Sequence, residues 1–247
     1  MDKFELTNIN TMTASRILAN NNLNRYLINN GLYRDKNMLD VVENTKNGSV
    51  VYTTLTEGDD FVLVGGVHGN ELASQVALLR LIRNIYYEQI CLNHRLHIIP
   101  FLIPVSTSHN TREYNDEDMN RNAFKEGPSK DIVDYAVDVG ARGLCDCHST
   151  DPSLTPGVNS VFCSFRPQKN SYFAARYICQ RTSSKLFPIG NAGSILKGAV
   201  EDESNLRGIA SVTCEAVCVN GKITRESVDF SYNQVMGFLE FYDIIKK

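Results

Sequence analysis

Apolar positions fall into two patterns along this chain. Residues 50–55, 61–67, 96–103, 143–150, 158–165 and 211–219 are compact runs rich in Val, Ile, Cys and Phe, which predicts strands. Between them apolar residues recur at helical spacing. Leu72, Val76, Leu79, Ile82 and Ile85 predict a helix over 71–87, and Ile132, Val133, Ala136 and Val137 predict one over 129–140. Two more are expected over 171–186 and 231–245. Residues 1–45 are polar and Asn-rich. An amphipathic stretch from Ala14 to Leu32 predicts one or two short helices there, with Asn20-Asn21-Asn22 favouring a turn. Residues 188–206, with three glycines, predict a loop. Alternating strands and helices argue an α/β sheet with helices on both faces. The expected organisation is a helical N-terminal extension over 1–45 and one catalytic-sized domain over 46–247.

Three of the predicted strands end in residues that carry chemistry. The run Phe61-Val62-Leu63-Val64-Gly65-Gly66-Val67 breaks at two glycines and delivers His68 and Glu71. Open α/β sheets place their sites at the carboxyl ends of strands, and imidazole with carboxylate suits zinc. In residues 143–150, period two puts Leu144, Asp146 and His148 on one face. His148 is then a third ligand candidate, and Asp146 an acceptor that would fix a ligand imidazole's tautomer. Glu215 lies inside residues 211–217, where an ionised carboxylate is costly without a partner, so it is either a structural ion pair or a general base. Taken singly, these residues also fit a solvated loop, a core histidine and a structural acid. The polar segment 110–124 holds Arg112, Asn120 and Arg121. Asn with Arg makes a carboxylate clamp, and a second Arg would stabilise an oxyanion. A mixed-charge surface loop has the same composition. His94 and His97 lie at the start of a predicted strand, the wrong end for the site, and His109 lacks a ligand-spaced partner, so all three read as structural or surface residues. Cys145-x-Cys147 beside His148 has soft-metal chemistry, but alternation places both thiols on the opposite face.

Together these motifs resemble the zinc carboxypeptidase superfamily, most closely its succinylglutamate desuccinylase/aspartoacylase branch. The residues that carry the resemblance are Gly66-Val67-His68-Gly69-Asn70-Glu71, Arg112, Asp118-Met119-Asn120-Arg121, Asp146-Cys147-His148-Ser149-Thr150 and Thr213-Cys214-Glu215, in the family's order. The resemblance implies a mixed, mostly parallel twisted sheet with helices on both faces. It implies one zinc ion on His68, Glu71 and His148, with Asp146 behind a ligand. Glu215 would be the general base and acid, Arg112 the oxyanion stabiliser, and Asn120 and Arg121 the holders of a substrate carboxylate. Two departures stand out. No Tyr occurs between Tyr177 and Tyr232, where carboxypeptidases place a mobile tyrosine. The residues after Glu215 are too few for the C-terminal β domain of aspartoacylases, so the expectation is a fold lacking it. The expected activity is hydrolysis of an amide in a carboxylate-bearing substrate, with an N-acyl amino acid deacylase first. A metallocarboxypeptidase acting on peptides, including cell-wall peptides, is the alternative, and a non-catalytic zinc- or carboxylate-binding protein is the alternative of another class. The acidic run Glu201-Asp202-Glu203 suggests a cationic substrate group if it faces the site, and otherwise a solvated turn.

Composition narrows the partners. A net charge of −3 over 247 residues, with no basic cluster, argues against nucleic acid and anionic membrane surfaces. No apolar run approaches a membrane span, and the opening Met1-Asp2-Lys3-Phe4-Glu5-Leu6 lacks a secretion-signal pattern. Seven Cys, several inside apolar runs, read as buried thiols of a reducing compartment, so a cytoplasmic location is expected.

Overall fold

The computed structural model describes residues 3–12 and 16–246, with Asn220 described by its backbone alone; Ala14 lies outside the described residues. Eight strands, β1 (Phe4–Asn8), β2 (Val50–Thr54), β3 (Asp60–Gly65), β4 (Arg95–Ile99), β5 (Gly143–Thr150), β6 (Ser160–Ser164), β7 (Lys185–Ile189) and β8 (Ala210–Val217), make one sheet in the order β1-β2-β4-β3-β5-β8-β6-β7. The pairings β3/β4, β3/β5, β5/β8 and β6/β7 are parallel. Those of β1/β2, β2/β4 and β6/β8 are antiparallel. The sheet is therefore mixed and mostly parallel, with its parallel centre at β4-β3-β5-β8.

Central strands buried on both faces must be apolar on both, and β3 is. Leu63 faces one core with Cys145, Cys147, Val212 and Cys214, packed against α3 (Leu72–Tyr86), α6 (Asn170–Thr182) and α8 (Arg225–Phe241). Val62, Val64 and Leu144 face the other, closed by α5 (Pro128–Asp138) and Val200 at the start of α7 (Val200–Leu206). Each such side chain fully removed from water contributes roughly 1.5–3 kcal/mol. The cysteines are free thiols, and the Sγ of Cys145 lies 3.7 Å from those of both Cys147 and Cys214. They sit on the face away from His148, as alternation requires.

Several elements differ from the sequence pattern. The N-terminal segment is not wholly helical: Phe4–Asn8 adds the edge strand β1, with Phe4 alone buried. Helices α1 (Asn21–Asn29) and α2 (Lys36–Glu43) follow. Asn20 starts α1 rather than a free turn. Its Oδ1 accepts from Asn22 and Leu23 N–H, and its Nδ2 donates to Thr107 O at 2.7 Å. The strand predicted to run to Ile103 stops at Ile99, and α4 (Pro104–His109) follows. Helix α6 ends at Thr182, and the residues expected to continue it enter β7 instead. The region 188–206 is not all loop, because α7 occupies its end with Glu201, Asp202 and Glu203 buried.

His97 is structural. Its Nδ1 lies 2.8 Å from Tyr135 Oη and 3.0 Å from Thr53 Oγ1, and its Nε2 lies 2.8 Å from Asp60. No helix among the described residues is long and apolar enough to cross a membrane.

Candidate metal and catalytic centre

The carboxyl ends of β3, β5 and β8 lie side by side, and each delivers a predicted residue. After β3 the chain turns through Gly66 at φ +76, a conformation that favours glycine. Gly69 is required for a different reason. A Cβ there would stand 2.0 Å from the backbone carbon of Ser106, so α4 could not close on the loop. That closure is pinned by Asn70 N–H to Thr111 O, and by Gln75, whose Nε2 donates to His68 O and Glu71 O. The loop ends with Glu71 at the N-cap of α3, where its side chain makes no cap and turns into the site. A carboxylate at a helix N-terminus is favoured by the helix dipole.

His148 on β5 is in register with Glu215 on β8, and Asp146 with Thr213. All four side chains belong to one face of the sheet. Glu71 lies between the two imidazoles: His68 Nδ1 is 2.8 Å from Oε1, and His148 Nδ1 is 2.8 Å from Oε2. Oε2 also accepts from Ser149 N–H at 2.8 Å, and Oε1 from Arg112 at 3.0 Å. The far nitrogens are held as well. His148 Nε2 lies 2.9 Å from Asp146 Oδ2, the partner expected from the sequence. His68 Nε2 lies 2.8 Å from Asp118 Oδ1, a partner the sequence reading did not assign. The signal was present, since Asp118 opens the Asp118-Met119-Asn120-Arg121 motif. Arg112 also donates to Asp118 at 3.1 Å, bridging it to Glu71.

These contacts set the ionisation states. Burial would raise the Glu71 carboxyl, but the His68 and His148 imidazoles outweigh it and hold it well below the usual carboxylate range. Burial would lower His148, but Asp146 and Glu71 outweigh it and raise it well above an ordinary imidazole. Asp118 is lowered too, with burial outweighed by His68 and Arg112. Glu215 goes the other way. Burial, then the neighbouring Glu71 charge, push it up to about 8. Its Oε2 is buried with no hydrogen-bond partner.

His68, Glu71 and His148 each offer one ligand atom, all within 4.8 Å of one another. Two imidazole nitrogens and a carboxylate oxygen, each imidazole backed by a carboxylate, form a donor set that suits a hydrolytic zinc ion. The residues present therefore fit the metal.

The cleft above the ligands has a volume of about 440 Å³ and is lined by His68 and Glu71, together with Arg112, Asn120, Arg121 and Glu215. Asn120 is buried. Its Oδ1 accepts from Val200 N–H at 2.9 Å, and its Nδ2 lies 3.3 Å from His148 Nε2. One end of the Asn120 amide is thus tied to α7 and the other lies against His148, and both Asn120 and Arg121 line the cleft. Arg121 donates to Asn120 O at 2.6 Å. No tyrosine lines the cleft among the described residues. Glu201, Asp202 and Glu203 do not line it either. Glu201 accepts from Ser164 N–H at 2.9 Å and Asp202 from Gly193 N–H at 2.7 Å. The acidic run supports α7 internally and does not face a substrate.

Residues 57–137 match the model of the succinylglutamate desuccinylase/aspartoacylase catalytic domain. No curated protein matches the sequence. Among solved structures, the chain is similar to a succinylglutamate desuccinylase from a Silicibacter species, with a TM-score of 0.64, 20% identity, and coverage of 81% of this chain and 62% of the other. It is similar to the product-bound ectoine utilization protein EutE (DoeB) from Ruegeria pomeroyi, with a TM-score of 0.63, 19% identity and coverage of 80% and 62%. It is also similar to the tripeptide-bound cell shape determinant Csd4 from Helicobacter pylori, with a TM-score of 0.63, 12% identity and coverage of 81% and 57%. At these identities the structures show a common fold. The chain spans about three-fifths of the length of the solved proteins it matches.

Proposed function

We propose a zinc-dependent hydrolase of an amide bond in a carboxylate-bearing substrate, supported by the match of residues 57–137 to the succinylglutamate desuccinylase/aspartoacylase catalytic domain and by the shared fold. The observation that carries this reading is the meeting of His68, Glu71, His148 and Glu215 at the ends of three adjacent parallel strands. Zinc on His68, Glu71 and His148 would supply Lewis-acid activation of water and of the scissile carbonyl.

The chain's own residues perform the remaining steps. Glu215 takes a proton from the attacking water as the new C–O bond forms. It returns that proton to the amine nitrogen as the C–N bond breaks, so one carboxyl serves as base and then acid. A carboxyl raised by burial is suited to both roles, because its affinity for a proton lies near neutral pH. Arg112, partly exposed and anchored by Glu71 and Asp118, keeps further N–H donors for the developing oxyanion. Arg121 and the Asn120 amide hold the substrate carboxylate at the cleft wall. Asp146 and Asp118 fix the two imidazoles so that each Nδ1 faces Glu71.

An N-acyl amino acid is the preferred substrate class, on the His68-Gly69-Asn70-Glu71 match and the absence of a tyrosine from the cleft lining among the described residues. A peptide C-terminus is the second reading, favoured by the tripeptide-bound relative and by the exposed Leu154 at the cleft rim. Metal analysis combined with amine release from paired N-acyl amino acids and tripeptides tests both. One ion per chain with release from either class supports the proposal. One ion per chain with no release from any pair refutes it.

A further inference from the structure

We propose that the substrate group beside the scissile bond is apolar, and that Phe162, Leu196 and Pro156 form its binding wall. This deepens the hydrolase reading and rests on it. Phe162 on β6 is in register with Thr213 on β8, two residues from Glu215, and both line the cleft. Registered neighbours share a sheet face, so the apolar surface begins beside the general base. Phe162 is held in place by its β7 partner. It stacks on Phe187 with ring centroids 4.8 Å apart and planes 14° from parallel. A ring fixed in this way offers a flat apolar platform without loss of side-chain freedom on binding. Pro156 and Leu154 approach from the loop after β5, and Leu196 from the loop before α7. Leu154 is 60% exposed, an apolar side chain left facing water at the rim.

Charge points the same way. The charged residues lining the cleft are Glu71, Glu215, Arg112 and Arg121. Glu71 and Arg112 are paired to each other, Glu215 is the proton carrier, and Arg121 takes one carboxylate. A substrate ammonium would find no free acid, because Glu201 and Asp202 are turned inward to Ser164 and Gly193. A second substrate carboxylate on Arg112 would occupy the donors left for the oxyanion, since the others are held by Glu71 and Asp118. Apart from the metal ligands and Asn120, the remaining wall is uncharged, made of Ser149, Thr150, Thr155, Thr213 and the apolar residues, and its apolar part suits an aromatic or branched aliphatic side chain.

Calorimetric binding of N-acetyl-phenylalanine, N-acetyl-leucine, N-acetyl-glutamate and N-acetyl-lysine to the zinc-loaded Glu215→Gln protein tests this without turnover. The phenylalanine and leucine derivatives are expected to bind at least about tenfold tighter than the charged pair, the preference a buried apolar side chain supplies. Phe162→Ala in the same background should reduce that ratio to about threefold or less. Leu196→Arg, at a half-exposed loop position that tolerates change, should shift preference toward N-acetyl-glutamate and keeps the test decisive if Phe162→Ala fails to fold. A charged derivative binding best, a ratio unmoved by both substitutions, or no binding by any derivative overturns the subsite. Preferential apolar binding with no turnover by the wild-type protein would instead sink the hydrolase reading. Turnover with a charged preference would sink only the subsite.

Discussion

Glu201 gives the sharpest physical test of the fold beside the site. It lies fully buried in α7, and its Oε1 accepts Ser164 N–H while its Oε2 has no partner. Burial first, then the Asp202 charge, push its carboxyl up to about 8 from an ordinary value near 4.5. The folded chain therefore holds a proton that the unfolded chain releases above about pH 4.5. Stability must fall as pH rises through the window from about 4.5 to 8, with a slope of about 1.4 kcal/mol per pH unit at most for one proton. Glu201→Gln keeps the shape and the Ser164 acceptor but has no proton to lose. The advantage of Gln over Glu should grow by roughly 2–3 kcal/mol between pH 5.5 and 7.5. In a chain of this size that is a widening Tm gap of several degrees. Urea and thermal melts of both proteins in EDTA at pH 5.5, 6.5 and 7.5 measure it, because chelation removes any metal contribution. A gap that stays constant, or narrows as pH rises, would show an ionised Glu201 in the fold and refute the reasoning.

Four further outcomes follow from the contacts. Asp118→Asn removes the carboxylate behind His68, and zinc affinity by chelator competition should drop about 10–100-fold with the fold retained; an unchanged affinity would separate Asp118 from the metal site. His148 is raised well above an ordinary imidazole by Asp146 and Glu71 and must lose its proton to bind metal. Zinc affinity should therefore already fall as pH is lowered toward neutrality and continue to fall below it, and a pH-independent affinity would contradict the ligand assignment. Gly69→Ala sets a Cβ against the Ser106 backbone and should cost several kcal/mol or abolish folding, while unaltered urea unfolding would mean α4 is free to move. Asn20→Ala loses the α1 cap and leaves Thr107 O without its side-chain donor, for a loss of about 1–3 kcal/mol.

The site was more legible than the periphery, for physical reasons. Strands β3, β5 and β8 are central, so their apolar runs are strong, and period two places Asp146 and His148 on one face, which the register with β8 shows to be shared by Thr213 and Glu215. Edge strands carry less signal. β1 buries only Phe4 of its five residues, and β7 contains Pro188, which an edge tolerates. Apolar residues at the end of α6 therefore read as more helix, although the chain had already turned at Ser183 with φ +59. α7 was hidden by its composition. Val-Glu-Asp-Glu-Ser-Asn-Leu looks solvated, and only its contacts to Ser164 and Gly193 explain how its acids are buried. α4 has Ser, Thr and His where a periodic stripe would be needed. Asp118 was not assigned, although it opens the Asp118-Met119-Asn120-Arg121 motif, because the motif marks the position while only the fold shows that its partner is His68.

The central claim is that Glu215 moves the proton in a metal-assisted amide hydrolysis. The most direct measurement is amine release by zinc-loaded wild-type and Glu215→Gln proteins, with bound metal counted in both. The account predicts one ion in each, release by the wild-type protein, and a fall of roughly 10²–10⁴ in kcat for the variant with little change in KM. Equal rates with metal bound would remove Glu215 from the mechanism and contradict the account.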